Sequence, residues 1–373
     1  MYYKNLLTDK NRILAFKQAI KTLVNSNIKV AEIGSALGTY SFFAAMQNAK
    51  KVYAIEKDDV FYLGEEIARR NQWDKKITFY HDLSQNVQLP EKVDYIILED
   101  YNPMFASANI VQTITDARKR FLYKSGKFIP NRFCLKCALT EYHNFYNILN
   151  TWQESDYFAY ELNWEPIIEL IFNQPHQATA SGIKLLSDEV TLTEFDLTTV
   201  NDITFNYSAK ITCSTSGIIH GLIGWWDCWF TPQQFFSNTP REPESSWGQM
   251  YFPIRYPLEV SAGDSLQVDF GSFQSKFSGE INYQWSIADN KTSQSYNTFA
   301  GQLINREIIN KSNPGYIPTL NQDGNLARLI LNQVNGKSAI NDIAENFYTE
   351  HSEFSMDKEQ LILKIGKILK DYI

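Results

Sequence analysis

The chain has 373 residues, enough for two or three domains with ample core, and its net charge of −7 argues against a nucleic-acid binder, whose affinity rests on neutralising phosphates with Lys and Arg. Four cysteines (Cys134, Cys137, Cys213, Cys228) are too few to staple a chain this long and suit a reducing cytoplasm, while His81, His143, His176, His220 and His351 show no ligand spacing, which predicts no metal. No apolar run is long enough to span a bilayer, and the opening Met1-Tyr2-Tyr3-Lys4, followed by Asp9, Lys10 and Arg12, does not read as a signal peptide.

Residues 5–24 carry apolar positions at helical spacing, with Thr8 or Asp9 near an N-cap, and predict one amphipathic helix. It leads straight into Val30-Ala31-Glu32-Ile33-Gly34-Ser35-Ala36-Leu37-Gly38, an apolar-periodic run to Met46, and the strand-like Lys51-Val52-Tyr53-Ala54-Ile55-Glu56. A strand, a two-glycine turn, a helix and a second strand ending in an acid form the unit of a nucleotide-type pocket, in which Glu56 is placed to accept hydrogen bonds from two ribose hydroxyls. A helix through Leu63, Ile67 and Ala68, a strand at 77–80 ending in His81-Asp82, and a buried strand at 93–98 delivering Glu99, Asp100 and Tyr101 complete the pattern. Ligands in doubly wound sheets sit outside the carboxyl ends of the strands, so Gly34, Gly38, Glu56, Asp82 and Glu99 should edge one crevice.

From residue 131 the texture changes. Strand-like runs at 133–139, 203–213, 217–229, 250–254, 265–270 and 281–286, separated by turn signals, predict a β-barrel or sandwich domain to about residue 300, with a helical arm near 144–173. Cys134 and Cys137 fall on a strand where residues three apart face opposite sides, which disfavours a metal or redox pair. The last unit, 301–373, shows helices at 325–334, 339–348 and 357–372, with Ser355 as a cap. Its residues 321–373 hold eight acids against six bases, unlike a DNA-reading helix trio.

Three blocks in the first two units resemble the protein arginine methyltransferase family, class I enzymes that use S-adenosyl-L-methionine. They are Leu7-Thr8-Asp9-x-x-Arg12 with Ala19-Ile20, the loop from Glu32 to Gly38 with Glu56, and His220–Phe230 with Ser237-x-Thr239-Pro240-x-Glu242-Pro243-x-Ser245-Ser246-Trp247. The resemblance implies a Rossmann-like α/β methyltransferase domain (1–130) and a β-barrel substrate domain (131–300). It also implies a homodimer, and a cofactor held by Arg12, Glu32, Gly34, Ser35, Gly38, Glu56, and Asp82 or Ser84. By the same resemblance Glu99 would take the catalytic role, with Tyr101, Asp227 and Trp247 on the substrate side.

The departures are specific. Nine residues past Glu99, where the family has a second glutamate to clamp a guanidinium, stands Ala108, and Ser246 replaces the histidine of the Thr-His-Trp loop. Residues 301–373 resemble the small winged-helix-like PqqD-type domains that bind precursor-peptide leaders, through Asp323-Gly324, Asn335-Gly336 and Ser338-x-x-Asn341-Asp342-Ile343-Ala344. In such domains the leader adds to a strand pair, which only 315–320 with 304–309 could supply here. Together these resemblances imply a cytoplasmic methyltransferase acting on a side chain of a ribosomally made precursor peptide. The alternatives are an ordinary protein arginine methyltransferase with an accessory domain and a degenerate peptide-binding scaffold.

Overall fold

A computed structural model describes residues 2–107, 109–153, 162–242, 245–275, 279–303, 305–351, 357–370 and 372. It divides into two compact units, Met1–Leu303 and Ile304–Ile373.

The larger unit begins with α1 (Tyr2–Thr8) and α2 (Lys10–Leu23). The expected single helix is thus broken at Asp9, whose carboxylate turns back to cap α2 by accepting the Arg12 amide at 3.0 Å. A five-stranded parallel sheet follows, built from β1 (Lys29–Ile33), α3 (Thr39–Met46), β2 (Lys51–Glu56), α4 (Phe61–Arg70), β3 (Ile77–His81), β4 (Val93–Leu98), α5 (Ile110–Arg120) and β5 (Leu122–Ile129). The strand order β3-β2-β1-β4-β5 reverses direction between β1 and β4, so the crevice lies where those two strands end. Both faces of β1 and β2 are covered, which is why their sequences run apolar without alternation.

The second part holds β6 (Arg132–Glu141), α6 (His143–Asn150), a 3-10 turn at Thr151–Gln153, α7 (Glu165–Phe172), β7 (His176–Ala178), β8 (Lys184–Leu185), β9 (Val190–Asp196) and β10 (Phe205–Thr212). It continues with β11 (Gly217–Thr231), β12 (Gln234–Ser237), β13 (Gln249–Val260), β14 (Ser265–Gln274), β15 (Ile281–Ala288) and β16 (Ser293–Asn297). One sheet runs β7-β13-β11-β6-β8, with β12 and β9 attached, and a second runs β10-β14-β15-β16. The expected barrel therefore resolves into two antiparallel sheets, and Phe252 of one meets Phe270 of the other at 4.6 Å in a shared core. Among the described arm residues, α6 and α7 are helical. Arg255 on β13 ion-pairs Glu165 and its carbonyl accepts the Tyr146 hydroxyl at 2.7 Å.

The two parts meet around β11. Trp226 is fully buried and donates its indole N–H to the Asn102 carbonyl at 3.1 Å, and Asn238 holds the Trp226 amide at 2.8 Å. The segment after β4 is therefore fixed by the β-rich part rather than by its own sheet.

The smaller unit has α8 (Arg306–Lys311), α9 (Gln322–Leu331), α10 (Ile340–Glu350) and α11 (Lys358–Lys370), packed through Leu326, Ile330, Ile343, Phe347, Leu361 and Ile365. The strand pair sought for leader docking does not form: most of 304–309 is the helix α8, and residues 315–320 are not a strand. Ile309 with Asn305 sets the 1→5 bond of a helical turn, a local closure that outcompetes pairing with a distant strand. No strand, and so no wing, occurs among its described residues. Ser355 lies outside the described residues; Asp357 accepts the Gln360 amide at 2.8 Å at the start of α11.

Candidate functional site

The loop after β1 is shaped by its glycines. Gly34 (φ 69°) and Gly38 (φ 82°) are left-handed, a conformation that costs other residues strain. The amides of Gly34 and Ser35 both donate to the Ile55 carbonyl at 3.0 Å, tying the loop to the end of β2. At that end Glu56 accepts the Ala36 amide at 2.7 Å through one oxygen and the Asp58 amide at 2.9 Å through the other. Each carboxylate oxygen keeps a lone pair for a further donor. The surroundings fit a bound nucleoside: the Ser35 hydroxyl is buried with no hydrogen-bond partner among the described residues, and a Cβ on Gly34 would meet only Asp100, at 4.0 Å.

Glu32, on β1, braces the neighbouring helix. Its carboxylate accepts the Ser41 amide at 2.6 Å and the Ser41 hydroxyl, so the bonded oxygen holds the first turn of α3. Burial raises its pKa to about 8 against those hydrogen bonds. The helix so held carries Tyr40, whose ring stacks on Phe16 at 4.3 Å.

Arg12 joins the cofactor-side loop to the β-rich part. Its Nε donates to the Tyr40 hydroxyl at 3.2 Å, Nη1 donates to Ser246 Oγ at 3.2 Å, and Nη2 ion-pairs Glu99. The guanidinium also lies 4.8 Å from the centre of the Trp247 ring. Burial works against its charge, but Glu99 and Tyr40 more than offset this and raise its pKa. For Glu99 the balance tips the other way: burial lifts the carboxyl to about 7 despite Arg12 and a hydrogen bond from Trp247.

Asp9, the N-cap of α2, anchors the substrate-side loop as well. Its second oxygen accepts the Ser246 amide at 2.7 Å and the Ser245 hydroxyl at 3.3 Å. Tyr101 and Trp247 stack at 5.9 Å, with Trp226 edge-on to both.

One expectation changes. Asp227 does not reach this cluster: strand alternation places Trp226 and Cys228 on the site side of β11, and Asp227 pairs Lys136 at 2.7 Å on the other face. Asp82 is exposed, and one of its oxygens is taken by the Leu83 amide at 2.7 Å and the Asn86 side chain at 2.8 Å. Ser84 is buried nearby, its carbonyl bonded by Arg120 at 2.6 Å. Ala108 lies outside the described residues. Tyr40 and Asn238 act through partners 28 and 12 positions away, and Ser41 through Glu32 nine positions back on another element, so spacing alone marks none of them.

Residues 134–289 match the family model described as the arginine methyltransferase oligomerization subdomain. The chain is 27% identical over 277 residues to protein arginine N-methyltransferase 1 of Saccharomyces cerevisiae, covering 71% of this chain and 78% of that protein. With the Schizosaccharomyces pombe protein of the same name it shares 26% over 275 residues, covering 71% and 79%. Among solved structures it is similar to the Trypanosoma brucei PRMT1 enzyme-prozyme heterotetrameric complex with AdoHcy, at TM-score 0.70 and 19% identity over 79% of this chain and 97% of that one. It is also similar to Arabidopsis thaliana protein arginine methyltransferase 10, at TM-score 0.66 and 21% identity with the same coverage.

Proposed function

We propose that this chain, an S-adenosylmethionine-dependent protein methyltransferase of the class I type, transfers methyl to a guanidinium nitrogen of arginine in a protein or peptide, with residues 304–373 as an accessory domain. The observation that carries this is the guanidinium on Glu99: a buried carboxylate at the crevice of the parallel sheet, with an indole N–H beside it, already accepts that group from Arg12. The relatives' names favour the same substrate. The precursor-peptide reading has less support, since the smaller unit offers no strand edge for a leader among its described residues.

When bound, S-adenosylmethionine supplies an electrophilic sulfonium methyl. Arg12 would hold its carboxylate, the Gly34–Gly38 loop and Ser35 would line it, Glu56 would take the ribose hydroxyls, and Ser84 with Asp82 would border the adenine. Glu99 orients the attacking nitrogen and stabilises the charge that grows on it. Its raised pKa suits it to take the proton that the nitrogen surrenders as the N–C bond forms. The aromatic wall of Tyr101, Trp226 and Trp247 excludes water. Incubation with S-adenosylmethionine and an arginine-rich peptide should add 14 Da to arginine by fragment mass spectrometry. Modification confined to another residue type would sink the arginine reading, and binding of S-adenosylhomocysteine without any transfer would favour the scaffold alternative.

The arm and two helices suggest a homodimer. Ile148 and Leu162 on the arm are 66% and 58% exposed, and Met46 on α3 with Tyr62 and Leu63 on α4 are 51%, 58% and 59% exposed. Docking the arm of one copy on α3 and α4 of the other would bury both patches. Light scattering at micromolar concentration should give twice the chain mass of 43.1 kDa, and Leu63→Glu should halve it; a monomer in the parent chain would refute the docking.

A further inference from the structure

Beside the polar cluster around Glu99 stands a group that no described residue bonds. Tyr101 is 6% exposed, and its hydroxyl, screened from solvent, has no hydrogen-bond partner among the described residues. The ring cannot swing away to find one. It stacks on Phe105 at 5.2 Å and on Trp247 at 5.9 Å, with Phe133 edge-on at 5.1 Å and Trp226 edge-on at 5.4 Å. Phenylalanine would fill the same space without stranding a buried hydroxyl, a defect that native interiors rarely carry without a use. Burial raises the pKa of this phenol, and besides the buried Cys228 the groups near enough to act on it are Glu99, Tyr40 and Arg12 of the site's polar cluster. Tyr101 stands two residues past Glu99 in the non-helical segment that follows β4, and Trp247, on which its ring stacks, is the indole that lies beside Arg12 and bonds Glu99.

We propose that the Tyr101 hydroxyl is the second anchor of the substrate guanidinium, accepting one N–H while Glu99 accepts another. A guanidinium carries five N–H donors and no acceptor, so a phenol oxygen can serve as a partner where a second carboxylate is missing from the sequence. Burial keeps the phenol protonated and neutral. One carboxylate then balances one cation, and the planar fork still spans two acceptors, with the Trp247 face beside it.

This inference rests on the arginine reading, and one experiment separates the two. Wild type and Tyr101→Phe are compared as full chains on an arginine peptide, with S-adenosylhomocysteine affinity by calorimetry and Tm measured alongside. Tyr101→Phe should raise KM roughly 10- to 100-fold, the size of one hydrogen bond to a charged group, with a smaller effect on kcat. Cofactor affinity should be unchanged and Tm unchanged or higher, because the variant removes an unpaired buried hydroxyl. Equal KM in the two chains overturns the anchor and leaves the arginine reading standing. A lower Tm in Tyr101→Phe also overturns it, since the hydroxyl would then have a structural partner. A wild-type chain that leaves arginine peptides unmodified overturns both.

Discussion

Glu99→Gln should lower kcat/KM for an arginine peptide by on the order of 10³-fold while S-adenosylhomocysteine binding stays within a few-fold of the parent. The amide keeps the shape of the carboxylate and removes its charge. What is lost is therefore the charge-assisted hold on the guanidinium and the stabilisation of positive charge on the nitrogen during transfer, each worth a large factor in a buried site. The cofactor should not suffer, because Arg12 loses a competitor for its guanidinium when Glu99 is neutral. Steady-state kinetics and calorimetry on the same preparation check both halves, and a parallel loss of cofactor binding would place Glu99 in the cofactor site instead.

The same residue sets a pH dependence whose sign can be worked out. The ionised carboxylate is the form that accepts the guanidinium, and burial lifts its pKa to about 7. Activity should therefore climb as pH passes from about 6 to about 8, and the residual activity of Glu99→Gln should show no inflection there. Stability moves the opposite way. Folded Glu99 holds its proton more firmly than the unfolded residue, so its contribution is fully present below the ordinary glutamate value of about 4.5 and is lost as pH rises through about 7. Glu99→Gln should flatten that part of the Tm profile.

What could be read from the chain followed how local each feature is. The turn with Gly34 and Gly38 and the acid Glu56 lie within one strand-helix-strand unit, where glycine conformation and strand ends fix the geometry. Asp227 was misplaced because β11 is buried along nearly all of its length, so no polar alternation marks which face of the strand meets Glu99. The two-fold period then decides between Trp226 and Asp227 only once the register with β6 is known. The closing strand β5 went unread for a related reason: Tyr123 to Ser125 and Lys127 are exposed, and only its ends are apolar. Asp9 shows a third limit. Its role as a cap is local and legible, but its bond to the Ser246 amide spans 237 positions and left no mark in spacing.

The largest combined effect is expected at Arg12. Its guanidinium bonds Tyr40, Ser246 and Glu99 at once, with both partners of the ion pair largely buried, at 6% and 12% side-chain exposure. Arg12→Met removes the proposed partner of the cofactor carboxylate and leaves the Glu99 carboxyl without its counterion, so that it must either stay charged in a buried site or take up a proton. Breaking a buried pair from one side costs about 3–5 kcal/mol. We therefore expect a comparable loss of stability in denaturant unfolding and at least a 10²-fold loss of cofactor affinity. Arg12→Lys should recover the charge but only part of the binding, because an ammonium cannot spread over three separated partners as the planar fork does. The double variant Arg12→Met with Glu99→Gln discriminates the cause. If the stability loss comes from the uncompensated carboxylate, neutralising Glu99 in the Arg12→Met background should restore most of it, while cofactor affinity stays low because its own partner is still missing. Additive losses in stability would mean that Arg12 stabilises the fold through Tyr40 and Ser246, and that its ion pair with Glu99 contributes little.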